Sequence, residues 1–415
     1  MKKTSVIKHF ISNDVVLMEG DNKKYYENDY NSELVKKETN EGITDNDFNE
    51  KIRYEVAKFI NHSFDNIVVL AGAGASVVVD DGKIDKEFGK TVLMIAKAIE
   101  EKMREETDMF TLQELATMSS YEEPVLDTTL KNFNNRFNLE DFLSNLLTYE
   151  QFITDSKIKE KFIKSKNKIL DLIKDNTNYN FNSSKMKHGS FLKILSKYTN
   201  TPNKLTIVTT NYDTLFEEAA ANLNFTVMDG FTFSYNPYFD SDMFEWNLVK
   251  DIPNVKTKEL EYKKNIINLL KIHGSLTWVN SIEDNRIYRK NKKLVEKPIM
   301  VFPSSNKYMQ SYENPYFELF TKFQELLRRK NTLLITTGFS FADNHIAKMI
   351  IQAIKHNTGL AVLVSDYNIE QNHENWIELD ALRNNHFRIA FLKATLNDNL
   401  INFLSERKRA DNNDY

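Results

Sequence analysis

The chain has 415 residues, with 55 Lys and Arg against 59 Asp and Glu, for a formal net charge of −4. A balance this close to neutral excludes bulk electrostatic attraction to nucleic acid and leaves room only for a local basic patch. Hydrophobic residues make up 41% and aromatics 12%, enough to bury a substantial core, so wholesale disorder is excluded. The complete lack of cysteine rules out a disulfide framework, a cysteine nucleophile and any Cys-ligated zinc or iron–sulfur site.

At roughly 100–200 residues per domain, the length corresponds to about two to four structural units. The basic start, through Lys2, Lys3 and Lys8, is followed by no long apolar run, as a secretory leader would require. The most apolar windows, at 67–73, 205–208 and 333–337, fall far short of the ~20 residues of a membrane helix. The expectation is a cytoplasmic globular protein without membrane contact.

Residues 1–50 are polar, rich in Asn, Asp, Glu and Lys, and carry only a candidate short strand at 14–18. This composition predicts a loose N-terminal extension, with docking on a partner as the alternative. From Lys51, the recurrence of Ile52, Val56, Phe59 and Ile60 predicts an amphipathic helix reaching Asn61. Residues 66–71 then form an apolar run without polar alternation, the pattern of a parallel strand covered on both faces. That run leads directly into Gly72-Ala73-Gly74-Ala75-Ser76, and a helix is expected over 91–101. Residues 101–200 show helical spacing at 139–147 and 162–173 and no glycine before Gly189, which predicts an inserted helical module.

A second buried strand is predicted at 205–210, followed by Asn211-Tyr212-Asp213 and a helix over 214–222. A third, at 266–272, ends in His273-Gly274-Ser275. A fourth, at 333–337, ends in Gly338-Phe339-Ser340 and precedes a helix over 345–356. A fifth, at 360–364, ends in Ser365-Asp366, and 388–392 is a sixth. Strands alternating with helices imply βαβ units and a Rossmann-like parallel sheet in the α/β class. The organisation expected is an extension at 1–50, the start of the Rossmann-like domain at 51–100, the helical module at 101–200, the remainder at 201–400 and a flexible tail at 401–415. The basic run at 286–293 is expected to be a solvated loop or hairpin edge rather than a nucleic-acid contact.

Each strand therefore ends in small or hydrogen-bonding residues: Gly72, Gly74 and Ser76; Asn211 and Asp213; His273 and Ser275; Gly338 and Ser340. Ligands of open parallel sheets bind in the crevice beyond the carboxyl ends of the strands, so one edge collects the reactive side chains. Gly72-x-Gly74 after a strand suits main-chain approach to a phosphate at a helix start, although a plain turn would use the same glycines. Val77 stands where the dinucleotide fingerprint has its third glycine, and no ribose-binding acid follows at the usual interval, which disfavours a standard dehydrogenase. Asn211 and Asp213 equally suit ordinary helix capping. A lone His273 would commonly be a satisfied core histidine, but the buried strand before it and the Gly-Ser after it favour a positioned imidazole fit for proton transfer.

In order, the Gly72–Ser76 loop, Thr209-Thr210-Asn211-Tyr212-Asp213, His273-Gly274-Ser275 and Gly338-Phe339-Ser340 resemble the signatures of the sirtuin fold. Thr209 to Asp213, together with Gly338-Phe339-Ser340-Phe341-Ala342-Asp343-Asn344-His345, resemble more closely the sirtuin-like proteins of bacterial antiphage defence systems. The resemblance spans about residues 50–395 in outline and is specific around these motifs. It implies NAD+ bound across the strand ends as substrate, with no metal. Gly72, Ala73, Gly74 and Ser76 would line the pyrophosphate, Asn211 and Asp213 would lie near the nicotinamide ribose, and His273 would be the general base. Gly338 and Ser340 would touch the phosphates or adenosine ribose, Ser365 and Asp366 would face the adenosine half, and residues 80–87 would form the cofactor loop. His345 is equally consistent with reaching the site and with a structural place at a helix start.

Protein-deacylating sirtuins carry a zinc ribbon with four cysteines that helps to form the acyl-peptide groove; this chain has none, and no His, Asp or Glu cluster has zinc-ligand spacing. Water is then the expected nucleophile, and the expected reaction is NAD+ glycohydrolysis to nicotinamide and ADP-ribose. The nicotinamide is already a cationic leaving group, so catalysis requires orientation, charge stabilisation and a base. Asn211 would orient a water or the carboxamide and Asp213 would stabilise developing positive charge. Base assistance by His273 would supply about 10²–10⁴-fold. The resemblance further implies antiphage defence by NAD+ depletion, control by assembly as a homo-oligomer, and pairing with a HerA-like ATPase through which any nucleic-acid contact would run. The alternatives are an NAD-dependent deacylase or ADP-ribosyltransferase, and a non-catalytic NAD+ or ADP-ribose-binding regulatory subunit.

Overall fold

The structure is a computed structural model that describes residues 6–36, 41–61, 63–80, 83–85, 87–127, 132–134, 136–252, 260–300 and 315–405, with the side chain at position 140 excepted. Its centre is a ten-stranded sheet. In chain order the strands are β1 (Ile7–Ile11), β2 (Val16–Glu19), β3 (Tyr25–Glu27), β4 (Asn66–Ala71), β5 (Leu205–Thr209), β6 (Thr226–Met228), β7 (Ile266–Lys271), β8 (Thr332–Thr337), β9 (Leu360–Asp366) and β10 (Ile389–Lys393). Their spatial order is β3-β2-β1-β10-β9-β8-β4-β5-β7-β6. The seven strands from β10 to β6 pair in parallel, and β1, β2 and β3 extend one edge in antiparallel pairing. The chain is thus an α/β protein with a Rossmann-like parallel sheet and, lacking cysteine, no zinc ribbon.

The predicted strands form because both faces are covered, which makes near-continuous apolar runs favourable. On one face, Ile67, Val69, Leu205, Ile207, Ile335 and Leu363 pack with α1 (Asp45–Ile60), α6 (His188–Leu195), α7 (Leu215–Asn222) and α11 (Leu400–Leu404). On the other, Val68, Leu70, Val208, Leu270, Leu334 and Val364 pack with α8 (Tyr316–Arg328), α9 (Asn344–His356) and α10 (Glu374–Asn384). Between α1 and α6, helices α2 (Val92–Glu105), α3 (Leu112–Met118), α4 (Leu139–Glu150) and α5 (Ser156–Thr177) enclose a separate core around Ile99, Leu115, Phe142, Phe162 and Ile169. Capping sets several starts: Thr44 with Asp47 and Thr111 with Glu114 form capping boxes, and Asp155 caps α5.

The expectation of a loose N-terminal extension is corrected here. Phe10 and Ile11 pair with Leu392 and Phe391 of β10, and Phe10 and Leu17 are buried in the main core. The Tyr25 ring stacks on Phe48 of α1 at 4.1 Å. The basic run contains the return strand of a hairpin, Ile287–Arg289 against Trp278–Asn280. Two of its charges are engaged within the protein: Arg289 pairs with Asp229, and Lys292 reaches Glu218 at 2.8 Å. The proposed cofactor loop at 80–87 lies partly, and the segment 406–415 wholly, outside the described residues.

From β4 the chain fills the sheet outward through β5 to β6 and β7, then returns across β4 to place β8 on its other side. That reversal is a topological switch point, and it opens a crevice at the carboxyl ends of β4 and β8, with β5 beside them. Among the described residues no helix is long and apolar enough to cross a membrane.

Candidate functional site at the carboxyl rim

Main-chain hydrogen bonds continue past the strands and fix the rim loops to one another. Thr210 N donates to Ala71 O at 3.1 Å, Ile272 N to Thr209 O at 3.0 Å, and Leu276 N to Tyr212 O at 3.0 Å. Across the switch point, Gly72 N donates to Thr337 O at 3.1 Å and Gly74 N to Gly338 O at 3.0 Å, while Gly338 N donates to Ser365 O at 3.2 Å. A loop held by bonds of this kind is a rigid support, because its polar groups are already satisfied.

The glycines at this crossing are required by contact. A Cβ on Gly74 would lie 2.7 Å from Gly338 Cα, and one on Gly338, whose φ is +59°, would lie 2.2 Å from Ala75 N. Two main chains therefore pass back to back with no side chain between them, which brings backbone groups to the crevice surface. Asn397 locks the same turn from below, its amide donating to Ala75 O at 3.0 Å and Val77 O at 2.9 Å.

Beside this crossing stands a buried cluster formed by the β4 and β5 loops. Ser76 Oγ donates to Asp213 Oδ2 at 2.6 Å and accepts from Asn211 Nδ2 at 2.9 Å. Asn211 Nδ2 also donates to Gly72 O at 3.0 Å. A main-chain carbonyl can only accept, so this contact fixes the amide orientation. Both Asn211 amide hydrogens are committed to the protein, and the group it can offer a ligand is the carbonyl oxygen Oδ1. The other oxygen of Asp213, Oδ1, accepts from Leu215 N at 3.1 Å, so the carboxylate anchors Ser76 and the start of α7. Lys271, only 2% exposed, donates to Asp213 O and reaches Glu217 at 3.1 Å. A buried ammonium is tolerated only with such partners, and burial in turn pushes the Glu217 carboxyl up.

His273 follows β7, the strand next to β5, and is buried. Its Nε2 lies 3.3 Å from Asp343 Oδ2. Asp343 is the N-cap of α9, and its Oδ1 accepts from His345 N at 3.0 Å and Ile346 N at 3.3 Å. Helix amides of this kind favour the ionised carboxylate. One oxygen is thus fixed by the helix and the other faces the imidazole. Nε2 faces the carboxylate at an ion-pair distance, so this contact places a negative charge beside the ring without assigning its proton.

The remaining predicted residues occupy the outer part of the same rim. Ser340 is exposed, with its Oγ 3.4 Å from Ala342 N. Ser365 is buried and donates to Ala394 O at 2.7 Å. Burial pushes the Asp366 carboxyl up to about 6, against the opposing hydrogen bonds from Asn368 and Tyr367. His345 is half-buried at the first turn of α9. Gly72, Gly74, Ser76, Asn211, Asp213 and Gly338 are linked through a chain of contacts, His273 faces Asp343 of the β8 loop, and Ser365 and Asp366 end β9. Ala73 belongs to the short turn between Gly72 and Ser76.

At the backbone crossing the space a Cβ would take is filled by the facing main chain, and the Thr337 hydroxyl beside it is buried without a hydrogen-bond partner among the described residues. Among those residues no three His, Asp or Glu side chains are grouped as metal ligands. Sequence reasoning missed Asp343 as the partner of His273, Lys271 and Asn397. Asp343 stands inside the quoted Gly338–His345 motif, whereas Lys271 and Asn397 carry no local signal.

Residues 205–389 match the family described as the SIR2-like domain. The match runs from the first residue of β5 to the first of β10 and includes Asn211, Asp213, His273 and Asp343. It supports a sirtuin-like family and fits an NAD+-utilising enzyme, since SIR2-like domains bind NAD+. A comparison with curated proteins finds no match.

Proposed function

We propose that the chain is an NAD+ glycohydrolase. The observation that carries this reading is the pairing, on adjacent loops of one rim, of an amide whose free group is an acceptor with an imidazole backed by a carboxylate. In this reading the Gly72–Ser76 turn, Gly338 and Ser340 hold the phosphates and Asp366 faces the adenosine half. Asn211 Oδ1 accepts from the nicotinamide carboxamide or from the attacking water. Asp213 acts through Ser76 as a positioning residue for Asn211.

The reaction breaks the bond between nicotinamide nitrogen and ribose C1, with the electron pair staying on nitrogen. A bond forms from water oxygen to C1, and the proton that water loses passes to the His273 imidazole and then to solvent. Asp343, facing the ring, stabilises the imidazole once it is charged, and general-base assistance of this kind supplies about 10²–10⁴-fold. The lack of a zinc ribbon, and so of the groove it builds for acyl peptides, supports water as acceptor.

On the resemblance to defence proteins, the cellular role would be NAD+ depletion during phage infection. Activity would be held off by assembly or by a HerA-like ATPase. The test is to incubate the purified chain with NAD+, alone and with such an ATPase and DNA, and to separate the products. The reading requires nicotinamide and ADP-ribose in equal amounts. Consumption only with an acyl-lysine peptide or a protein acceptor would replace it with deacylation or ADP-ribosyl transfer, and intact NAD+ under every condition would leave a binding subunit.

A further inference from the structure

The opposite rim of the sheet carries a second feature, independent of the reading above. A cleft of about 280 Å³ lies at the amino-terminal ends of β5 and β7, close to the lower size of small-molecule pockets, about 300 Å³. Lys204, Lys263, Lys264, Asn200, Asn203 and Asn247 are among its walls, and among the described residues no Asp or Glu lines it. In a chain with more acidic than basic residues overall, an acid-free wall with three lysines is a local concentration of positive charge.

Lys204 is held in place from below, its ammonium donating to the carbonyls of Phe244 at 2.6 Å and Trp246 at 2.7 Å. Burial, more than the nearby Lys322 and Arg329, pushes its pKa down to about 8. The side chains of Asn200, Asn203, Asn247, Lys263 and Lys264 form no hydrogen bond or ion pair with another described residue. The cleft thus presents hydrogen-bonding groups and charge that the fold itself does not use. Tyr262 lines the same cleft and adds an aromatic ring.

We propose that this cleft binds a phosphate-bearing small molecule of about mononucleotide size, with Lys263 and Lys264 meeting the phosphate and the asparagine amides its polar edges. Charge-assisted bonds from lysine to phosphate supply the attraction, and their exposure makes it sensitive to salt. The site is separate from the catalytic rim, yet β5 and β7 run from it to Asn211 and His273, a span of about 20 Å at 3.3 Å per residue.

The test is calorimetric titration of the full chain with AMP and with inorganic pyrophosphate, comparing wild type with a Lys263→Glu/Lys264→Glu variant. Both lysines are exposed, and the NAD+ consumption and melting temperature of the variant serve as controls for the other rim and for folding. The expected result is a binding event in wild type that weakens about tenfold or more in the variant and in high salt, with both controls unchanged. AMP binding more tightly than pyrophosphate assigns a nucleotide, and the reverse order an inorganic or sugar phosphate. Identical isotherms for the two proteins, no binding at millimolar concentration, or lysine-dependent binding of a DNA oligonucleotide in place of both small molecules overturns the proposal.

Discussion

Burial sets the protonation of single side chains behind the rim. His188 is 1% exposed, its Nδ1 has no hydrogen-bond partner among the described residues, and burial pushes it down to about 4 against the pull of Asp213. A histidine depressed in the folded state contributes fully above its unfolded pKa of about 6.5, and that stability is lost as pH falls toward the folded value. At pH 5 the loss is on the order of 2 kcal/mol. Asp366, raised to about 6, acts in the opposite sense, since its buried charge costs stability above that pH. The two are separated by substitution: His188→Leu should shrink the drop in unfolding free energy between pH 7.5 and pH 5 by about 2 kcal/mol, read from denaturant melts. An unchanged drop would mean that His188 is protonated in the native state. At this scale the sequence was legible wherever a polar residue ended an apolar strand, as for Asn211, Asp213 and His273. It was silent on Lys271, which ends β7 and is explained only by Glu217 and the Asp213 carbonyl.

Elements show where local pattern fails. The core strands at 66–71, 205–209 and 332–337 are buried runs of aliphatic residues, with threonine interspersed in the latter two, and their type follows from burial on two faces. The N-terminal strands are three to five residues long and only partly apolar, and they are strands because β10, far along the chain, offers an edge. Long-range pairing of this sort leaves little trace in a short window. The pairing also covers the β10 edge, which would otherwise be open to another chain. Phe10, 1% exposed within the main core, gauges the attachment: Phe10→Ala should cost about 3–5 kcal/mol in chemical denaturation. A cost below about 1 kcal/mol, the range of a surface change, would return the segment to a loosely held arm.

At the scale of the whole molecule, the order of the strands makes the site. β4 and β8 lie side by side only because the chain reverses direction across the sheet, and that reversal presses Gly72 and Gly74 against Gly338. The α/β class and the carboxyl rim were readable from alternating elements, since parallel strands must point their ends the same way. The order within the sheet, and with it the meeting of His273 with Asp343, was not, because it depends on which strands neighbour one another rather than on any segment's composition. The same order places β5 beside β7 and so sets Asn211 and His273 on adjacent loops, as one unit if they serve one reaction.

The most direct measurement is single-turnover release of nicotinamide by the wild type, Asn211→Ala, His273→Ala and the double variant, each shown to be folded. Groups that act together are non-additive. The account predicts that each single change lowers the rate by about 10²-fold or more and that the double change lowers it little further. Wild-type release by either single variant would contradict it.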